Sequence, residues 1–224
     1  MNKITPLFLA LTLIFASCSS TENDAELLQK NETKLKSYTL KRDANGRYSI
    51  DFDVKENTEV NTFKNSDKSN EIILSEAVQK QAQKYSNNFN LENDFLKIGF
   101  LEDNNGKKTQ ITVEDENISY AKGVTEFLNN YSVTKNENES FTLDFEVNNN
   151  VQTEFIYNEK DDIYEVHLSN GLTKTKKFSR VLEVPNNNIL KVNFVNHKFF
   201  SKSEENLTSM VDRKPKLEIG FAEY

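Results

Sequence analysis

The alternation of apolar and polar residues predicts an all-β fold, built from two tandem copies of a mainly antiparallel, β-sandwich-like unit. Residues 141–147 read FTLDFEV, with apolar side chains at every second position and polar side chains between them. This period of two, with one apolar face, is the pattern of a half-buried antiparallel strand. An internal duplication supplies the second observation. We expect the copies to pack together, with one fused barrel or sheet as the alternative and at most one or two short helices.

The duplication is visible as matches that recur in the same order along the chain. Residues 35–54 align with residues 128–147 at an offset of 93, with six identities in the twenty positions. Residues 72–75 and 96–100 then match later segments at an offset of 94. One extra residue in the second copy, opposite the segment from Asn57 to Phe63, accounts for the change. The sequence therefore predicts a repeat at residues 35–123 and another at 124–224.

Within each copy, the elements follow from local patterns. The Asp-Ala-Asn-Gly segment at 43–46 predicts a hairpin between Leu40 and Tyr48, because Asn-Gly supplies the positive φ angles of a tight turn. Residues 75–85 have helix-forming composition, but their counterpart reads as a turn, so we expect a loop with at most a short helix. A second short helix is expected at 124–129. Further strands are predicted at 95–101, 109–113, 163–168, 178–184, 189–195 and 217–221.

The N-terminus has the parts of an export signal. Lys3 is a basic start, residues 7–15 are an apolar stretch, and the small pair Ala16 and Ser17 leads into Cys18, the only cysteine. The apolar run is much shorter than the roughly 20 residues that span a bilayer. Phe15-Ala16-Ser17-Cys18 resembles the lipobox of bacterial lipoproteins, with Phe15 where that motif usually has leucine.

The lipoprotein resemblance implies a cellular location for the protein. It implies that residues 1–17 are a cleaved signal peptide, that Cys18 is lipidated, and that residues 18–34 form a polar tether. Acyl chains on Cys18 would hold the protein at a membrane. The serine and acidic residues after Cys18 resemble a surface-display signal, so we expect an outer-membrane anchor at the cell surface. The periplasmic face is the alternative.

Charge and motifs exclude several functional classes. The net charge is −7, and loss of Lys3 with the signal makes it −8, so nucleic acid is a poor partner. The sequence has no phosphate-binding glycine loop and no nucleophile elbow, and no cofactor is predicted. Histidines 167 and 197 fall far apart in the predicted strand pattern, and His167 is predicted to face solvent. We therefore predict neither a metal site nor a catalytic residue.

Two features remain as candidates for function. Phe199 and Phe200 are adjacent aromatics after a strand end, and adjacent strand residues cannot both point inward, so they are the candidate ligand contact. The carboxylate pairs Asp51/Asp53 and Asp144/Glu146 lie on predicted outward faces, where solvated charge is the usual role.

The predicted membrane location and the lack of catalytic motifs together indicate a non-catalytic function. We expect a membrane-anchored, non-catalytic binding, adhesion or envelope-assembly module whose partners are the membrane, through the lipid, and a protein or glycan ligand. A carrier of a hydrophobic ligand in a β cavity is the alternative. A polymer-degrading enzyme is a weaker one.

Overall fold

The regular structure of the described chain is entirely β-strand. The computed structural model describes residues 33–103, 106–115, 127–184, 188–197 and 211–223. These ranges contain fourteen strands and no helix, within a compact unit that begins at Thr33. The predicted all-β class is confirmed.

The strands divide equally between the two copies. The first seven are β1 (Leu35–Arg42), β2 (Tyr48–Val54), β3 (Thr58–Lys64), β4 (Asn70–Glu76), β5 (Lys84–Phe89), β6 (Phe95–Glu102) and β7 (Lys107–Glu114). The second seven are β8 (Leu128–Lys135), β9 (Phe141–Val147), β10 (Val151–Asn158), β11 (Ile163–Asn170), β12 (Lys177–Leu182), β13 (Ile189–His197) and β14 (Val211–Glu223).

Two sheets contain all these strands, and each sheet runs through both copies. One has the order β12-β9-β8-β1-β2-β5, and the other has the order β10-β11-β13-β14-β7-β6-β4-β3. Both orders are symmetric when each strand of the first copy is exchanged with the strand seven places later. The copies are joined at the centre of each sheet, by β1 with β8 and by β7 with β14. Pairing is antiparallel except between β4 and β6 and between β11 and β13.

The strand register places a pseudo-twofold axis through both joins. Leu40 pairs with Val133, its own counterpart at the offset of 93. Ile98 pairs with Ile111, and the equivalent Val192 pairs with Leu217, so β7 and β14 are related by an offset of 106. At that offset the counterpart of Thr112 is Glu218, and these two residues pair with each other.

The same register locates the extra residue of the second copy. Thr58 pairs with Glu76, and Val151 pairs with Asn170. Thr58 and Val151 differ by 93, whereas Glu76 and Asn170 differ by 94. The insertion therefore lies in the turn between these hairpin strands. The position expected from alignment, before Phe63, was wrong because β3 has too few side chains in common with β10 to align by sequence.

The space between the sheets is filled by two equivalent clusters of aromatic rings. In the first copy, Phe52 stacks on Tyr85 with centroids 5.3 Å apart and meets Phe100 edge-on at 5.2 Å. In the second copy, Phe145 stacks on Phe178 at 5.0 Å and meets Phe194 edge-on at 5.8 Å. The second copy thus repeats the arrangement of these core contacts, with Phe178 in place of Tyr85. Burial of such rings is the main stabilising contribution to a sandwich of this kind.

The turns differ in detail from the sequence prediction. In the β1–β2 hairpin only Gly46 of the Asn-Gly pair has a positive φ, of 74°. Asp43 closes that turn by accepting hydrogen bonds from the backbone N–H groups of Asn45 and Arg47, both at 2.8 Å. Residues 77–83 form a loop without a helix, as expected. The helix predicted at 124–129 is wrong from Leu128 onward, where β8 begins.

One buried ion pair joins the two sheets near the pseudo-twofold axis. Arg42 ends β1 and Asp115 follows β7, and Nε of Arg42 lies 2.7 Å from Oδ2 of Asp115, with both side chains 4 % exposed. Tyr48 donates its hydroxyl to the same Oδ2 at 2.6 Å. Burial, more than any neighbouring charge, raises the pKa of Tyr48. The second copy has Lys135 and Phe141 at the positions of Arg42 and Tyr48, so this network is not duplicated.

Candidate functional site

A polar cleft lies on the eight-stranded sheet in the first copy. Its volume is about 370 Å³, within the range of small-molecule sites. Three adjacent strands, β4, β6 and β7, form its floor, and the β3–β4 turn forms one wall. The side chains that surround it are amides, hydroxyls and charges, chiefly those of Asn65, Ser69, Asn70, Glu71, Lys97, Lys108 and Gln110.

A glycine in the middle of β6 shapes the floor of this cleft. A Cβ atom added to Gly99 would lie 2.2 Å from Cε of Lys108, so the lysine chain passes directly over the glycine backbone. Lys108 continues across the strand to an ion pair with Glu71. Their side chains are only 11 % and 22 % exposed, which makes this a partly buried pair rather than a loose surface contact.

The ion pair sets the charge state of the cleft. The hydrogen bond from Lys108 is the largest cause that lowers the pKa of Glu71, and a hydrogen bond from Asn65 adds to it. The pKa of Asp67 is also lowered, chiefly by the hydroxyl of Ser69. Near neutral pH the cleft therefore presents fixed carboxylates beside lysine ammonium groups.

The β3–β4 turn is held in place by its own hydrogen bonds. Asn65 donates its side-chain amide to Oγ of Ser69 at 3.0 Å, and Ser69 donates to Asp67 at 2.7 Å. Lys68 has a φ of 70°, a left-handed conformation that the turn's backbone bonds stabilise. Asn70 donates its side-chain amide to the carbonyl of Lys97 at 3.2 Å, which ties the turn to β6.

A second cleft of about 300 Å³ continues from the first and shares Asp67, Ser69 and Lys97 with it. Asn93 and Asp94 both have positive φ, as the central residues of a type I′ turn do, and this turn leads into Phe95. Phe95 lines the second cleft and is 45 % exposed. Glu92 at its rim forms ion pairs with two lysines of the β3–β4 hairpin.

The equivalent part of the second copy is built differently. Asn193 replaces Gly99, and its side chain is buried. Glu165 replaces Glu71 and bonds to a histidine instead of a lysine, with its Oε2 2.8 Å from Nε2 of His167. The same face of the same sheet has therefore diverged between the copies.

The two histidines of the chain lie in contact. Nδ1 of His167 is 2.6 Å from Nε2 of His197, and the ring centroids are 4.9 Å apart with the ring planes 21° apart, so the rings meet nitrogen to nitrogen at their edges. The expectation that they are far apart was wrong, because β11 and β13 pair in parallel and bring positions 30 residues apart to one end of the sheet. Burial first, and then the charge of His167, lowers the pKa of His197.

Other residues singled out from sequence have varied positions. Cys18, Phe199 and Phe200 lie outside the described residues, so they remain predictions. Asp51 forms an ion pair with Lys41 and accepts a hydrogen bond from a serine of β5. The described ranges hold no group of three or more histidine, cysteine or acidic side chains arranged to bind a metal ion.

Sequence reasoning missed the cleft, although one signal for it was present. An isolated glycine inside a strand often marks a close approach by another group, and Gly99 sits in the middle of the predicted strand at 95–101.

Comparison of the chain with known protein families, curated proteins and solved structures finds no match. Within the part of the chain that the structure describes, no helix has the length and apolar character needed to cross a membrane.

Proposed function

We propose that the protein is a lipid-anchored bacterial envelope protein that works as a non-catalytic binding module, with the first-copy cleft as its ligand site. The cleft carries the proposal, since it is a preorganised concave surface with both hydrogen-bond donors and acceptors. The ligand class that fits best is a glycan. Sugars offer many hydroxyls, which amide, carboxylate and ammonium groups such as those of Asn70, Glu71 and Lys97 can bind directly.

Exposed aromatic side chains beside the cleft support the choice of a glycan. Phe95 lines the second cleft, and Phe63, which pairs in register with Glu71, is 51 % exposed. An exposed aromatic ring gives the apolar face of a sugar a surface to stack on. A sugar chain running from one cleft to the other would meet polar groups and then an aromatic ring.

The packing between the sheets favours a binding module over a carrier of hydrophobic ligands. A carrier needs an apolar cavity, whereas the aromatic clusters centred on Phe52 and Phe145 fill the described inter-sheet space with rings in contact. The carboxylate pairs considered for polymer breakdown are engaged locally, as in the ion pair of Asp51 with Lys41. These observations leave ligand binding at the cleft as the better-supported role.

The N-terminal segment supports the anchoring part of the proposal. Cys18 follows a short apolar stretch and two small residues, which is the arrangement that resembles a lipobox. Two or three acyl chains supply enough buried methylenes, at about 0.8 kcal/mol each, for stable membrane attachment. Residues 18–34 would then be the tether between the membrane and the sandwich.

Glycan binding can be tested with a pair of matched lysine variants. Lys97 lies in both clefts, and Lys191 is its counterpart on β13 of the second copy. The protein would be screened against a panel of neutral and acidic oligosaccharides, followed by titration calorimetry on any that bind. We expect Lys97→Ala to weaken binding about tenfold or more, since a hydrogen bond from a charged group contributes about 1.5–3 kcal/mol.

Lys191→Ala is the control, and binding by this variant should match the wild type. Equal binding by the Lys97→Ala variant and the wild type would contradict the assignment of the cleft. If the wild type binds none of the oligosaccharides in the panel, the proposal that the ligand is a glycan is contradicted.

A further inference from the structure

The second copy holds a pair of histidines in direct contact, separate from the cleft of the first copy. His167 and His197 turn one ring nitrogen each toward the other, at 2.6 Å, from neighbouring parallel strands. They are the only histidines in the chain. Both side chains are half-buried.

Glu165 fixes the direction in which His167 presents its nitrogens. Oε2 of Glu165 lies 2.8 Å from Nε2 of His167, and the carboxylate is 9 % exposed. Since an ionised carboxylate only accepts, Nε2 of His167 carries the proton and Nδ1 has the free lone pair. In metalloproteins, a carboxylate that accepts a hydrogen bond from one ring nitrogen of a histidine orients the other nitrogen toward the metal in the same way.

We propose that His167 and His197 bind one divalent transition-metal ion, Zn²⁺ or Cu²⁺, through Nδ1 and Nε2 respectively. Imidazole nitrogen is a favoured ligand of both ions. Two protein ligands leave the remaining coordination positions to water, so this is an open site. Glu165 does not touch the metal and is a positioning residue.

The histidine pair must open and release one proton contact before it can accept the ion. With Nε2 of His167 protonated, the present contact is a hydrogen bond from Nε2–H of His197 to Nδ1 of His167, so metal binding moves that proton to Nδ1 of His197. Two nitrogens bound to one zinc ion at tetrahedral angles, with bonds of about 2.0–2.1 Å, stand about 3.3 Å apart. The present separation is 2.6 Å, so the rings must part by about 0.7 Å. Rotation of the two side chains about their χ angles, at His167 within β11 and His197 at the end of β13, would supply that movement.

The side chains on the neighbouring strands add to the polar character of the site. Asn193 pairs in register with Glu165, and its side-chain oxygen is buried without a hydrogen-bond partner. Glu154 on β10 pairs in register with His167, and its charge acts on His197. Two carboxylates therefore surround the histidines, which favours a bound cation. The first copy has Ile73 and Asp103 at the histidine positions, so the proposed site belongs to the second copy alone.

The test is a titration of the purified protein with Zn²⁺ and with Cu²⁺. The protein would be made without a histidine tag and in a Cys18→Ser background, so that no other strong ligand contributes. We expect one equivalent of metal per chain by calorimetry. Because the chain has two histidines, ¹⁵N spectra of the imidazoles resolve both rings, and both should change together at the same stoichiometry.

Variants identify the ligands. His167→Gln and His197→Gln should each weaken binding by at least about tenfold, and Glu165→Gln should weaken it by about 10–100-fold while shifting the His167 tautomer in the ¹⁵N spectrum. The paired control is Asp161→Asn, in the exposed β10–β11 turn, which should leave binding unchanged.

The proposal is overturned if the wild type binds neither ion, or if both histidine variants bind as well as the wild type. The first outcome is measured on the wild type alone, so the proposal stays testable even if a histidine variant fails to fold.

Discussion

The buried ion pair between Arg42 and Asp115 makes a sharp prediction about stability. Asparagine at position 115 keeps the shape of the side chain but removes its charge. Arg42 would then remain charged at 4 % exposure without the carboxylate of Asp115. Tyr48 would lose the ionised acceptor of its hydroxyl in the same step.

The cost follows from the burial of the pair. Removing one partner of a buried ion pair costs about 3–5 kcal/mol, because the other charge is left desolvated. A natural protein is stabilised by only about 5–15 kcal/mol, so Asp115→Asn should remove about a fifth or more of the total. At about 2–4 °C per kcal/mol for a chain of this size, the expected fall in Tm is about 6–20 °C.

Urea unfolding of four proteins tests the reasoning. The wild type, Asp115→Asn, Arg42→Met and the double variant form a cycle. The double variant should be more stable than either single variant, because it removes both buried charges of the Arg42–Asp115 pair together. Tyr48→Phe is the control for the hydroxyl alone and should cost about 0.5–1.5 kcal/mol. A loss below about 1 kcal/mol for Asp115→Asn, or a double variant as unstable as the sum of the singles, would refute the account.

Three further outcomes are expected. Gly99→Ala should push Lys108 away from Glu71 and close the cleft floor, while changing the unfolding free energy by less than about 1 kcal/mol; unchanged oligosaccharide binding would contradict this. Glu71 should titrate below 4.5 in carboxyl NMR, so its stabilisation is present above that pH and lost as the pH falls through the folded pKa; Lys108→Met should return the pKa upward. External protease should degrade the wild-type protein on intact cells, whereas the Cys18→Ala variant should no longer be found in the membrane fraction. A Cys18→Ala variant that stays in the membrane fraction would contradict lipidation.

The duplication and the core strands could be read from sequence because both are local patterns. Phe52 and Phe145 recur at a fixed offset within strictly alternating segments, and alternation reports burial directly. The edge strands β3 and β5 were not predicted. Each is the last strand of its sheet and is largely exposed, so few of its positions must be apolar.

The two candidate sites could not be predicted, because both depend on which strands become neighbours. His167 and His197 meet only because a strand from the other sheet, β12, separates their strands in sequence and lets β11 and β13 pair in parallel. The cleft depends on Lys108 crossing Gly99, a contact between neighbouring strands that alternation does not encode. Periodicity predicts which face of a strand is buried, but not which strands become neighbours, and both sites depend on side chains from neighbouring strands.

The pairing of Leu40 with Val133 has a consequence for the origin of the chain. Where a residue lies opposite its own counterpart, the contact is isologous, as in a twofold homodimer. A single copy could have formed the same two sheets by associating with itself, with Leu40 facing Leu40. Gene fusion then frees each half to change alone, which a homodimer cannot do. The Arg42 network and the cleft in the first copy, and the histidine pair in the second, are changes of this kind among the described residues.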